Sequence, residues 1–172
     1  MQGPVDTLRQ EFFPDLVDAA QVIRVLVRLT AATILGGIVG FEREAEHKSA
    51  GMRTHMLVAL GAALFTLVPI ERRMESADIS RVMQGIAAGI GFLGAGMIFK
   101  QTEQKQVHGL TTAANIWATA AIGIAVGAGM MGLALVAVGL ALFILFFLHR
   151  AEHWLKHRHR APVTPSQPEK KV

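Results

Sequence analysis

Cysteine is absent from this chain of 172 residues, which excludes a disulfide framework, a thiol nucleophile and a thiolate metal site. Charge is scarce: 17% of the residues are Asp, Glu, Lys or Arg, against about 25% in an ordinary soluble domain. The apolar share is 52% and the net charge only +4, a combination that excludes intrinsic disorder. The isoelectric point is near 10.0, yet the basic residues form no continuous stripe and no aromatic platform, so no nucleic-acid partner is expected. Missing too are a Ser/His/Asp set, a phosphate-binding loop and an HExxH helix. No catalytic residue is assigned, and an enzyme is not expected.

What the chain does have is long apolar stretches. They cover Val22–Phe41 (with Arg24 and Arg28 near its start), Met56–Ile70, Gly85–Phe99, Leu110–Val126 and Met131–Leu148. A hydrocarbon core about 30 Å thick needs roughly 17–25 helical residues. The second and third runs are short, but none of the five has a polar face, and Gly85–Phe99 contains no Ser, Thr, Asn, Gln or charge. A helix that is apolar all round must be buried in protein or in lipid, and a chain this short cannot surround five of them. The expectation is an all-α, polytopic membrane protein, a five-helix transmembrane bundle over residues 22–148 with the lipid bilayer as its solvent. Residues 1–21 set Asp6, Glu11, Asp15 and Asp18 among Phe12, Phe13, Leu16 and Val17. They read as an interfacial segment rather than a cleaved signal peptide. Residues 149–172 read as a basic juxtamembrane segment and a disordered tail.

Five spans divide the 17 Lys and Arg residues eleven to six. The larger group holds Arg43, Lys48, Arg53, Lys100, Lys105 and the cations of the tail. Positive charge collects on the cytoplasmic side, which puts the C-terminus inside and the N-terminus outside. Arg24 and Arg28, one turn apart near the outer end, are accounted for by snorkelling or by pairing with Asp18 or Glu71. His149, His153 and His157 recur every four residues beside Arg150 and Trp154, a pattern that suits an interfacial helix on anionic lipid better than a metal site.

Glycine speaks to packing. Helices in lipid associate largely through small residues that let their backbones approach. Gly36/Gly40, Gly85/Gly89 and Gly123/Gly127 each form a GxxxG pair, and the third span adds Gly91, Gly94 and Gly96. Tight packing within one subunit, a homodimer face and a broken helix lining a site all remain open for these residues.

Two polar constellations lie on the same side. Glu42, Arg43 and Glu44 stand where the first span leaves the membrane, and Arg53, Thr54 and His55 open the second. An arginine at the membrane boundary prefers a carboxylate partner, so Arg53 is expected to pair with Glu42 or Glu44. At the start of the fourth span, Thr111 or Thr112 can cap the helix, and Thr111 and Asn115 share a face one turn apart. Asn115 reads either as interhelical glue or, joined with the Thr oxygens and Glu42 or Glu44, as part of a polar cavity offering oxygen ligands to an ion such as Mg²⁺. No span carries a carboxylate in its middle, which counts against a conducting pathway. Beyond Mg²⁺, no cofactor is expected.

The stretches Gly40-Phe41-Glu42-Arg43-Glu44 and Ala50-Gly51-Met52-Arg53-Thr54-His55 resemble the first hairpin of the MgtC/SapB family. Gly89–Gly96, Gly109–Ala114 and Trp117–Gly123 resemble its third and fourth spans, and the likeness covers about residues 22–148. The resemblance implies a bacterial inner-membrane protein with the N-terminus outside. Members are linked to growth in low magnesium and to survival inside macrophages; they were first taken as Mg²⁺ transporters and later associated with restraint of the rotary ATP synthase. Where many members place a Gln and a Ser at the start of the third span, this sequence has Gly85 and Ala88. Many also carry a cytoplasmic domain resembling the ACT fold, where here the basic tail follows. The resemblance therefore implies a modulator of Mg²⁺ homeostasis or membrane energetics, with membrane subunits of the ATP synthase as partner. The competing expectation is a homodimeric Mg²⁺ carrier using Glu42, Glu44 and Asn115.

Overall fold

The computed structural model describes the backbone of residues 19–101 and 106–158, and side chains over 19–98 and 107–147. The interfacial segment expected over residues 1–21 lies almost wholly outside the described residues, as does the tail beyond Arg158. Five helices are present among the described residues: α1 (Ala19–Ala45), α2 (Met52–Glu71), α3 (Ser76–Gly96), α4 (Leu110–Gly127) and α5 (Met131–Arg158). Four of them contain one apolar run each and α3 contains most of the Gly85–Phe99 run; α1, α2 and α4 are long and apolar enough to cross a membrane on their own. The backbone of α5 continues past the bilayer-length stretch to Arg158, so the three histidines of the last turns lie on a helix.

Two boundaries depart from the sequence reading. The third helix begins at Ser76, because the i, i+3 ion pair of Asp78 and Arg81 supports a polar first part that hydropathy does not see. It ends at Gly96, short of Phe99, where glycines give way to an antiparallel hairpin of β1 (Phe99–Gln101) and β2 (Gln106–His108). Phe99 pairs with His108 and Gln101 with Gln106.

The packing is that of a protein whose solvent is lipid. Small residues fill many of the buried positions, among them Ala32, Val39, Ala59, Ala63 and Ala120 from the first, second and fourth helices, with Ile116 and Ile122 enclosed beside them. The large apolar side chains face outward, with Phe41, Leu57, Phe65 and Phe92 all more than 60% exposed. Water would not tolerate so much apolar surface on a monomer, whereas lipid rewards close backbone contact within and bulk without. Helix α4 is central: 61% of its apolar window is buried, against 39% for α2 and 28% for α1. Helix α3 is peripheral, and Gly94 alone among its residues is buried.

The glycine pairs divide accordingly. Gly36 and Gly40 of α1 and Gly123 and Gly127 of α4 press on α2 from two sides. A Cβ at Gly36 would stand 2.5 Å from the carbonyl oxygen of His55, and one at Gly123 would stand 2.4 Å from that of Ala59. Gly94 makes an ordinary contact with Ala113, whereas Gly85, Gly89, Gly91 and Gly96 have nothing within 4 Å of where a Cβ would be. At the end bearing the N-terminus of α1, Arg24 pairs with Glu71 at 3.3 Å and Gln21 donates to the same carboxylate. Arg28 donates to the Gly127 carbonyl at 3.0 Å. A cation there satisfies an orphan carbonyl and the negative end of α4.

Candidate functional site

At the opposite end, the last turn of α1 and the first turns of α2 and α4 converge on a buried polar group. On α1 the inward face runs Ala32, Gly36, Val39, Gly40, Arg43, the i, i+4, i+7 progression of one helix face. Arg43 therefore points in and is 3% exposed. Its guanidinium is held by Glu42, with Nη2 donating to Oε1 at 2.6 Å and Nε to Oε2. A buried guanidinium needs such a carboxylate, since an unpaired charge there is costly.

The partner expected for Glu42 or Glu44, Arg53, is instead exposed and makes no ion pair among the described residues. The inward face of α2 runs His55, Ala59, Ala62, Ala63, Thr66. Arg53 precedes His55 by two residues, about 200° around the helix, and so points away, as does its exposed neighbour Thr54. Arg53→Ala is accordingly expected to leave the folded yield and the thermal midpoint in detergent unchanged; a drop in either would show that Arg53 has a buried acidic partner after all. Glu44 serves α2 in another way: its Oε2 accepts from the Met52 N–H at 2.9 Å. This places a carboxylate on the positive end of that helix and satisfies one of its orphan donors.

Deeper in, Asn115 meets a residue that the sequence reading did not assign to the site. His55, fully buried, stands with Nδ1 2.9 Å from the Gly51 carbonyl and Nε2 3.0 Å from Nδ2 of Asn115, itself 5% exposed. A carbonyl can only accept, so Nδ1 carries the proton and donates to it; Nε2 is then the acceptor for the Asn115 amide. The histidine is locked in one tautomer and one rotamer, and it ties α2 to α4. A signal for it existed: His55 falls on the same i, i+4, i+7 line as Ala59 and Ala62, the small residues that mark the face of α2 turned to its neighbours.

On α4 the structure buries Thr112 beside Asn115 and leaves Thr111 exposed. Neither threonine caps the helix, because α4 starts two residues earlier than a cap at Thr111 would allow, with Gly109 at the cap position. Gly109 has φ +89°, and a Cβ there would meet the Met97 carbonyl oxygen at 1.8 Å, so only glycine can bring the chain from β2 into α4. The Thr119 hydroxyl donates within its own helix to the Asn115 carbonyl at 2.8 Å. Glu42, Arg43, Asn115 and Thr112 are thus brought into the buried end; Arg53, Thr54 and Thr111 are not. Among the described residues, no cluster of three or more His, Asp or Glu side chains could hold a metal ion.

Fold and site together define a small polytopic membrane protein whose three innermost helices are pinned at one end by a self-satisfied polar plug. The chain belongs to the MgtC family, whose sequence model matches residues 29–154. It is 42% identical over 142 residues to the protein SrpB of Synechococcus elongatus, covering 75% of this chain and 78% of that protein. It is 50% identical over 111 residues to the protein MgtC of Brucella abortus, covering 63% of this chain but 44% of that relative. Over 141 residues it is 36% identical to YhiD of Escherichia coli K12, whose name proposes magnesium transport, covering 78% of this chain and 65% of YhiD. No solved structure matches significantly.

Proposed function

We propose that this protein is a non-enzymatic component of the bacterial inner membrane that serves magnesium homeostasis or membrane energetics through helix contacts rather than by carrying Mg²⁺. The observation behind this reading is the engagement of its carboxylates. A pathway for a hard divalent cation needs oxygen ligands that can be offered and withdrawn. Glu42 is committed to Arg43, Glu44 to the first turn of α2, and the deeper His55 and Asn115 to each other. To coordinate an ion, this end of the bundle would have to strand the Arg43 guanidinium.

Magnesium enters from the relatives, through the name of YhiD, and the ATP synthase from the family resemblance. Membrane subunits of that enzyme are the partner we propose, with restraint of its rotation as the mode of action. The polar plug faces the cytoplasm in this reading, in keeping with the cation count. The test uses vesicles loaded with a Mg²⁺-sensitive dye and reconstituted with the full chain. The expected result is no influx above that of empty vesicles, together with co-purification of ATP-synthase subunits from native membranes. Influx that is abolished in both Glu42→Gln and Asn115→Ala would overturn the proposal in favour of a homodimeric carrier.

A further inference from the structure

Between α2 and α3 lies an open groove of about 530 Å³ floored by Ala120 of α4. Its walls include Leu57 and Phe65 on one side and Val82, Gly85, Gly89 and Leu93 on the other, and no polar side chain lines it. Gly61, Gly85 and Gly89 make it wide, since nothing stands within 4 Å of where their Cβ atoms would be. From Val82 to Leu93 the wall rises about 16 Å, close to half the roughly 30 Å hydrocarbon core. The groove thus has the depth of one leaflet. Water does not fill an apolar space.

The end nearest Phe65 and Val82 lies toward the α2–α3 turn. Four arginines stand around it, Arg24, Arg72, Arg73 and Arg81, against the carboxylates of Glu71, Glu75 and Asp78. Glu71 is held by Arg24 and Gln21, and Asp78 by Arg81. Arg73 is exposed and makes no ion pair among the described residues. Its backbone is independently informative. Arg73 N–H donates to the Ile70 carbonyl and Met74 N–H to that of Pro69, both at 3.0 Å, the hydrogen-bond pattern of a helix end whose left-handed residue is ordinarily glycine. Arg73 occupies that position with φ +53°. A side chain kept where its backbone is strained points to a use for it.

We propose that the groove holds one acyl chain of an anionic phospholipid from the leaflet on the side of the α2–α3 turn, with the headgroup phosphate held at Arg73. The lipid fills the space that α3 leaves open against α2 beside its contacts with α4, and so tightens the peripheral helix onto the rest of the bundle. The proposal rests on the membrane character of the chain and is independent of any role in magnesium physiology.

Native mass spectrometry of the detergent-purified full chain, titrated in parallel with phosphatidylglycerol and phosphatidylcholine, tests it. One phosphatidylglycerol is expected to be retained with about fivefold preference, the factor one arginine contributes near anionic lipid. Arg73→Gly removes the cation and relieves the strained φ, so it is expected to fold as well as the parent and to lose the preference. Gly89→Leu fills the groove and is expected to lose the single-lipid adduct for both lipids. Equal retention of the two lipids by the parent chain, an unchanged preference in Arg73→Gly, or a lipid-free dimer that Gly89→Leu dissociates would each overturn it.

Discussion

Gly123→Ala is expected to destabilise the bundle by about 1–3 kcal/mol, the usual cost of forcing a methyl group into a packed interior. The new Cβ would stand 2.4 Å from the Ala59 carbonyl oxygen and 2.9 Å from the Ala62 Cβ. Neither neighbour can swing aside, because one is backbone and the other is attached directly to it. Gly36→Ala meets the same helix from the other side, 2.7 Å from the Ala59 Cβ and 2.5 Å from the His55 carbonyl oxygen. Its expected cost is of the same size. Ala59 is pinched between the two glycines, which is why it is fully buried. Against both variants stand Gly85→Ala and Gly89→Ala, where the methyl group meets open space. Glycine inside a helix costs roughly 1 kcal/mol relative to alanine, so these two are expected to be neutral or stabilising by up to that amount. Thermal unfolding of all four in one detergent checks the contrast. If Gly85→Ala lowers the midpoint as far as Gly123→Ala does, the arrangement in which α2 is clasped between α1 and α4 while the Gly85/Gly89 face of α3 borders open space is wrong.

That contrast also marks where sequence reasoning stops. Three GxxxG pairs have the same spacing and look alike as text, yet two lock onto α2 and the third borders a groove. Spacing shows that two small residues share a face; it does not show what the face meets. The five apolar runs were legible because hydropathy integrates over the length of a bilayer and tolerates local error. The ends of α3 were not legible for the same reason. Asp78 and Arg81 neutralise one another inside the helix, while Met97, Ile98 and Phe99 keep the run apolar after Gly96 has ended the helix. At the candidate site, the converging elements and four of the members, the half-buried Glu42 and the buried Arg43, Thr112 and Asn115, could be named from the sequence. The assignment of Arg53 failed on helix rotation: proximity in sequence to the acidic pair counted for more than the face on which it falls. His55 was passed over because a histidine at a helix start reads as solvated until the small residues one and two turns further along are taken as the buried face.

His55→Ala and Asn115→Ala are each expected to cost about 1–3 kcal/mol for the buried partner left unsatisfied, and His55→Ala more than Asn115→Ala because it also opens a cavity among Gly36, Gly40 and Asn115. The informative measurement is the double variant. If the imidazole Nε2 accepts from the Asn115 amide, as the 3.0 Å separation and the proton on Nδ1 require, each single variant already strands the other partner. The second substitution then removes a group that has lost its use. The double variant is expected to be more stable than the sum of the singles predicts, by about 0.6–2 kcal/mol, the range for hydrogen bonds between membrane helices. Strict additivity would mean that the two residues contribute by separate routes and that α2 and α4 are joined by packing alone. The distinction bears on function. A coupled pair makes the polar end a rigid joint through which α1, α2 and α4 move as one body, as a protein acting through its helix surfaces requires. An ion carrier would need the same groups to part and rejoin on every cycle.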